Sequence, residues 1–61
     1  MKLVRFKVFC NRQGMDRFLL EGFLLARCGG FRISNDGRGY IATGDVETIR
    51  EIRRDYKVVT F

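Results

Sequence analysis

Apolar and polar positions alternate from the start of the chain: Lys2-Leu3-Val4-Arg5-Phe6-Lys7-Val8-Phe9-Cys10 predicts a strand over 2–10 with Val4, Phe6, Val8 and Cys10 turned to a core. The opposite side carries Leu3, Arg5, Lys7 and Phe9, a mixture of apolar and cationic groups that is odd for a face that is only solvated. Asn11-Arg12-Gln13-Gly14 reads as a polar loop. From Met15 the apolar period lengthens from two to about 3.6 residues, which predicts a helix that stops at Gly29-Gly30. Projected at about 100° per residue, Met15, Phe18, Leu19, Phe23, Leu25 and Ala26 fall within an arc of roughly 160° and are read as its buried stripe. Leu20, Leu24 and Cys28 fall outside that arc and form a second apolar ridge beside Arg17, Glu21 and Arg27.

Two short β-prone runs, 31–34 and 39–43, flank Asn35-Asp36-Gly37-Arg38, where Asn, Asp and Gly supply the backbone conformations a tight hairpin needs. Gly44-Asp45 opens a second helix, with Asp45 as its N-cap and Val46, Ile49, Ile52 and Tyr56 as its buried stripe. Arg50, Arg53 and Arg54 sit in its later part, where cations suit the helix dipole. Lys57-Val58-Val59-Thr60-Phe61 is β-branched and aromatic and predicts a closing strand. The order strand, helix, strand, strand, helix, strand over one domain, 1–61, predicts an α+β fold. Its expected form is a ferredoxin-like βαββαβ sandwich, a four-stranded antiparallel sheet with two helices on one face and strands one and three as the central pair.

Composition narrows the function. The 61 residues contain no His and no Trp and only two Cys, so the usual neutral-pH base and most zinc-ligand sets are missing. Neither a metal nor a cofactor is expected. Ser34 and Thr43 have no histidine to activate them, and the acidic residues Asp16, Glu21, Asp36 and Asp45 fall on separate elements, so no enzyme is expected. Cys10 and Cys28 lie in apolar contexts and are expected to be buried thiols. The longest uninterrupted apolar stretch is four residues, Phe23 to Ala26, so a soluble, cytoplasmic protein with no membrane span is expected. With its pattern running from Met1, the chain is also read as a complete short frame of the kind phage genomes produce.

Twelve Lys and Arg against seven Asp and Glu leave a formal net charge of +5, which favours an acidic partner, nucleic acid or an acidic protein surface. On the uncovered sheet face the pattern places Arg5, Lys7 and Phe9 from the first strand and Arg32 and Ser34 from the second. If Ile41 points at the helices, Tyr40 and Ala42 of the third strand join that face. Cations interleaved with rings suit a nucleic acid, since bases stack on the rings and the cations hold the phosphates.

Gly37-Arg38-Gly39-Tyr40-Ile41 resembles part of the basic-glycine-aromatic signature on the third strand of the RNA recognition motif, over five of 61 positions. Asp36 stands where that family has Lys or Arg, and Arg38 stands at an aromatic position, so the glycines are equally explained by the hairpin.

The expected function is therefore a small non-enzymatic basic module that binds nucleic acid through its open sheet face with Arg5, Lys7, Phe9, Arg32, Arg38 and Tyr40. The alternative is a small phage-type inhibitor or adaptor that blocks a host or partner protein. It would use Leu20, Leu24 and Cys28 as an apolar strip rimmed by Arg17 and Arg27, or form a homodimer through the same strip.

Overall fold

The computed structural model describes residues 2–10 and 15–61; the polar loop expected at 11–14 lies outside them, as do the side chains of Met15 and Asp16. Strand β1 (Val4–Phe9) leads to helix α1 (Met15–Cys28), a hairpin of β2 (Arg32–Ile33) and β3 (Gly39–Gly44), helix α2 (Val46–Arg53) and strand β4 (Lys57–Thr60). The strands form one open antiparallel sheet in the order β2-β3-β1-β4, with β1 and β3 at its centre. Residues from both helices join one face of the sheet in a single core: Phe6, Val8, Leu20, Leu24, Tyr40, Ala42, Ile49, Ile52 and Val58 are all buried there, with Cys10. The two-residue β2 is shorter than the run 31–34, because only Arg32 and Ile33 pair with β3 before the chain enters the hairpin turn.

Two parts of the pattern resolve differently from the expectation. In β3 the core-facing residues are Tyr40 and Ala42, while Ile41 turns to the open face. Register decides this, because Val8 pairs with Tyr40 and Phe6 with Ala42, and partners across a strand pair share a face. The hairpin fixes the neighbouring β2–β3 register, Arg32 with Ile41 and Ile33 with Tyr40: the Ser34 N–H donates to the Gly39 carbonyl (2.9 Å), and the Gly37 N–H, on a residue with φ of +70°, donates to the Ser34 carbonyl (2.9 Å).

Helix α1 is also turned round relative to the expected stripe. Leu20 and Leu24 are buried and Cys28 is half-buried, whereas Phe18, Leu19 and Leu25 are 71%, 61% and 57% exposed. The ridge proposed as a protein interface is therefore core at Leu20 and Leu24, and most of the proposed core stripe is surface. Tyr40 supplies a physical reason. Its ring is fully buried, and a buried hydroxyl without a partner costs about 1–3 kcal/mol. With Leu24 inward, α1 brings Arg17 and Glu21, one turn apart, to that hydroxyl. Arg17 Nε donates to the Tyr40 oxygen (2.5 Å) and the hydroxyl donates to Glu21 Oε2 (2.5 Å). The reverse face carries Phe18, Gly22 and Leu25, which offer no side-chain polar group.

Helix α2 follows its pattern more closely. The Thr48 N–H donates to Asp45 Oδ1 (2.8 Å), which makes Asp45 the N-cap, and the Thr48 hydroxyl first, then that amide, hold its carboxyl below the usual range. Ile49 and Ile52 are buried, but Val46 is exposed and Thr48 takes a buried place in its stead.

Candidate nucleic-acid interface

The open face of the sheet follows directly from the strand register. Across the sheet run three rows: Thr43, Arg5 and Phe61; Arg32, Ile41, Lys7 and Val59; Gly39, Phe9 and Lys57. Arg5, Lys7, Arg32 and Lys57 thus share a face with Phe9 and Phe61. The Lys7 ammonium lies 4.7 Å and that of Lys57 5.8 Å from the centre of the Phe9 ring, and the Arg5 guanidinium lies 5.7 Å from that of Phe61. These are cation–π distances, so the cations are gathered around the rings rather than spread over the surface. Phe61 is 71% exposed and leaves its ring open to a further planar group.

Among the described residues few acidic groups lie on this face. Glu47 and Glu51 lie on α2, Asp45 caps it, and Glu21 is bonded to Tyr40 on the helix side. Among the described residues the carboxylate that meets a cation of the face is Asp36 at the hairpin, whose Oδ2 accepts from Lys7 Nζ (2.9 Å). Its Oδ1 accepts from the Ser34 hydroxyl (2.5 Å) and the Arg38 N–H (3.0 Å), and Ser34 Oγ in turn accepts from the Gly39 N–H (3.1 Å). The Ser34 hydroxyl first, then the Arg38 amide and Lys7, hold the Asp36 carboxyl well below the ordinary carboxylate range. Lys7 is consequently partly committed to the turn, while Arg5, Arg32 and Lys57 are exposed. A shallow groove from Gly29 and Gly30 past Thr43 to Arg5 and Arg32 continues the cationic surface around the short β2 edge.

Of the residues expected at this site, the structure brings Arg5, Lys7, Phe9 and Arg32 together and places Arg38 exposed on the neighbouring hairpin. Tyr40 is not part of it. Its ring lies in the core edge-on to Phe31 (5.0 Å between centres, 84° between planes), so the aromatic position of the five-residue resemblance is unavailable for stacking on this face. Sequence reasoning missed Lys57 and Phe61. The signal was present, since alternation about the buried Val58 puts 57, 59 and 61 on the side opposite to it.

Burial, and next the bond to Glu21, raise the Tyr40 phenol above its ordinary value, with Arg17 opposing. A phenol whose folded value lies above its unfolded value of about 10 contributes stability that is complete below pH 10 and lost as pH rises through the folded value. We expect loss of the β-sheet circular-dichroism signal above about pH 10, in step with a tyrosinate absorbance change, and removal of that step by Tyr40→Phe. Stability that stays level across this range in the unsubstituted chain would contradict the assignment.

Cys10 is buried and Cys28 half-buried. Burial, then the Asp45 charge, push the Cys28 thiol up, which disfavours the reactive thiolate and fits a packing role. Among the described residues no group of three His, Cys, Asp or Glu side chains could hold a metal ion, and no helix is long and apolar enough to cross a membrane. Comparison with protein-family models, with curated proteins and with solved structures finds no match.

Proposed function

We propose that this chain is a non-enzymatic module that binds nucleic acid through the open face of its sheet, on a ferredoxin-like βαββαβ scaffold. The scaffold reading is supported by the element order, the central β1/β3 pair and the placement of both helices on one face. One observation carries the functional reading: Arg5, Lys7, Arg32 and Lys57 share a flat face with Phe9 and Phe61, and the carboxylate that meets them is already engaged in the hairpin. Phosphates would pair with the cations while a base stacks on Phe61, a mode that tolerates any sequence.

Fluorescence anisotropy of a labelled single-stranded oligonucleotide tests the proposal. Three to four neutralised phosphates give a log-log salt slope of about −2 to −3, so affinity falls about thirtyfold between 50 and 200 mM salt. Arg5→Glu combined with Lys57→Glu is expected to abolish binding with the fold intact, and Phe61→Ala to weaken it about tenfold through lost stacking. No binding at low salt, or binding indifferent to the double charge reversal, would reject the sheet face as the site.

A further inference from the structure

On the side of α1 away from the sheet, Phe18, Leu19 and Leu25 are 71%, 61% and 57% exposed, and Gly22 and Ala26 between them are exposed as well. Three large apolar side chains on one face of a single helix are more than a small chain leaves in water without a use. Gly22 is the second anomaly. A glycine inside a helix costs about 0.5–1 kcal/mol relative to alanine, and its own chain does not require it here, since a Cβ at Gly22 would meet nothing within 4 Å. The space above Gly22 is kept open on the side facing out.

We propose that this face binds a second copy of the same chain, helix against antiparallel helix, with the two-fold axis at Gly22. The pattern is self-complementary about that residue: counting equally in both directions sets Phe18 against Ala26 and Leu19 against Leu25 of the other copy, large against small and Leu against Leu, while the two glycines let the backbones close. Charge favours a copy over an acidic partner. The molecule carries +5, yet among the described residues the cations beside this face are paired within the chain: Arg17 and Glu21 meet each other (3.9 Å) and Tyr40, and Arg27 reaches Glu51 (3.5 Å). A neutral face lets two cationic molecules approach where the sheet face would repel.

The area agrees with a modest dimer. Phe18, Leu19 and Leu25 are each more than half exposed, so the pair withdraws six large apolar side chains from water, on the order of the 1,000 Å² at which specific interfaces begin. A groove between α1 and α2 adjoins the patch, lined by Leu19, Phe23, Ile52 and Tyr56 together with the charged Glu51, Arg54 and Asp55, so the apolar surface ends there in a polar rim.

Sedimentation velocity without nucleic acid, from about 10 µM to 1 mM chain, tests the inference. The unsubstituted chain is expected to pass from monomer to dimer across that range. Gly22→Glu is the decisive variant. It replaces the poorest helix former except proline with a good one, so Tm should rise, yet it opposes two carboxylates across the axis, so dimerisation should fall at least tenfold. Lys57→Glu, on the sheet face, should leave association no weaker. A chain monomeric throughout overturns the inference, as does a dimer that Gly22→Glu leaves unchanged. So does a monomer that cosediments with phosphatidylglycerol vesicles through this face, since a lipid surface would then be the occupant.

Discussion

Leu24→Ala is expected to remove a third or more of the stability of this chain, while the same truncation one residue on, Leu25→Ala, should leave it within about 0.5 kcal/mol in dilute solution. The two leucines are neighbours in sequence and opposite in environment, fully buried against 57% exposed. Emptying a leucine site in a closed core costs about 3 kcal/mol, the lost transfer of the side chain plus the cavity left behind. A domain of this length has a total margin of about 3–9 kcal/mol, so the first substitution consumes a third of it or more. Urea unfolding followed by circular dichroism checks the pair. Equal effects, or the larger loss at Leu25, would mean that α1 presents its other face to the sheet, and the dimer inference would fall with that.

Gly39→Ala is expected to be comparably damaging for a different reason. A Cβ built on Gly39 lies 2.1 Å from the carbonyl oxygen of Val8, a backbone atom of the central strand that cannot move without undoing the pairing of Val8 with Tyr40. Overpacking against a side chain costs about 1–3 kcal/mol, and against the backbone of a central strand about 3 kcal/mol or more. Gly37→Ala is the matched control. Its φ of +70° strains an alanine by about 1–2 kcal/mol, but the space around it is open. A Tm loss at position 39 several times that at 37 is the expected result. Comparable losses would show that the hairpin needs the glycines only for backbone angles and that the close approach of β1 and β3 is not tight.

The strength of each local signal explains which elements the sequence made legible. The alternation from Val4 to Cys10, the turn residues from Asn35 to Arg38 and the Asp45 cap each rest on interactions within a few residues, and each appears in the structure. The faces of α1 and β3 were not legible in this way. Helix α1 carries a broad apolar arc of roughly 160° and a narrower ridge of Leu20, Leu24 and Cys28, and projection ranks Phe18, Leu19 and Leu25 over Leu20 and Leu24 because it sees only local hydrophobicity. In β3, Tyr40 and Ile41 are both good strand residues, and parity alone cannot say which turns inward. The candidate site inherits this split: Arg5, Lys7 and Phe9 follow from the first strand by alternation, whereas Tyr40 was assigned to the wrong face and Lys57 and Phe61, which alternation in the last strand also puts on one side, were passed over.

The amino-acid order by itself determined the succession of strands and helices, the hairpin, the helix cap and the cationic surplus, since all of these are short-range or additive properties of the chain. Only the tertiary structure decided which side of α1 and which residues of β3 meet the core. That choice depends on where one buried phenol finds partners: Tyr40, set inward by the β1–β3 register, meets Arg17 and Glu21 only when Leu20 and Leu24 face the sheet, and this leaves Phe18, Gly22 and Leu25 outside.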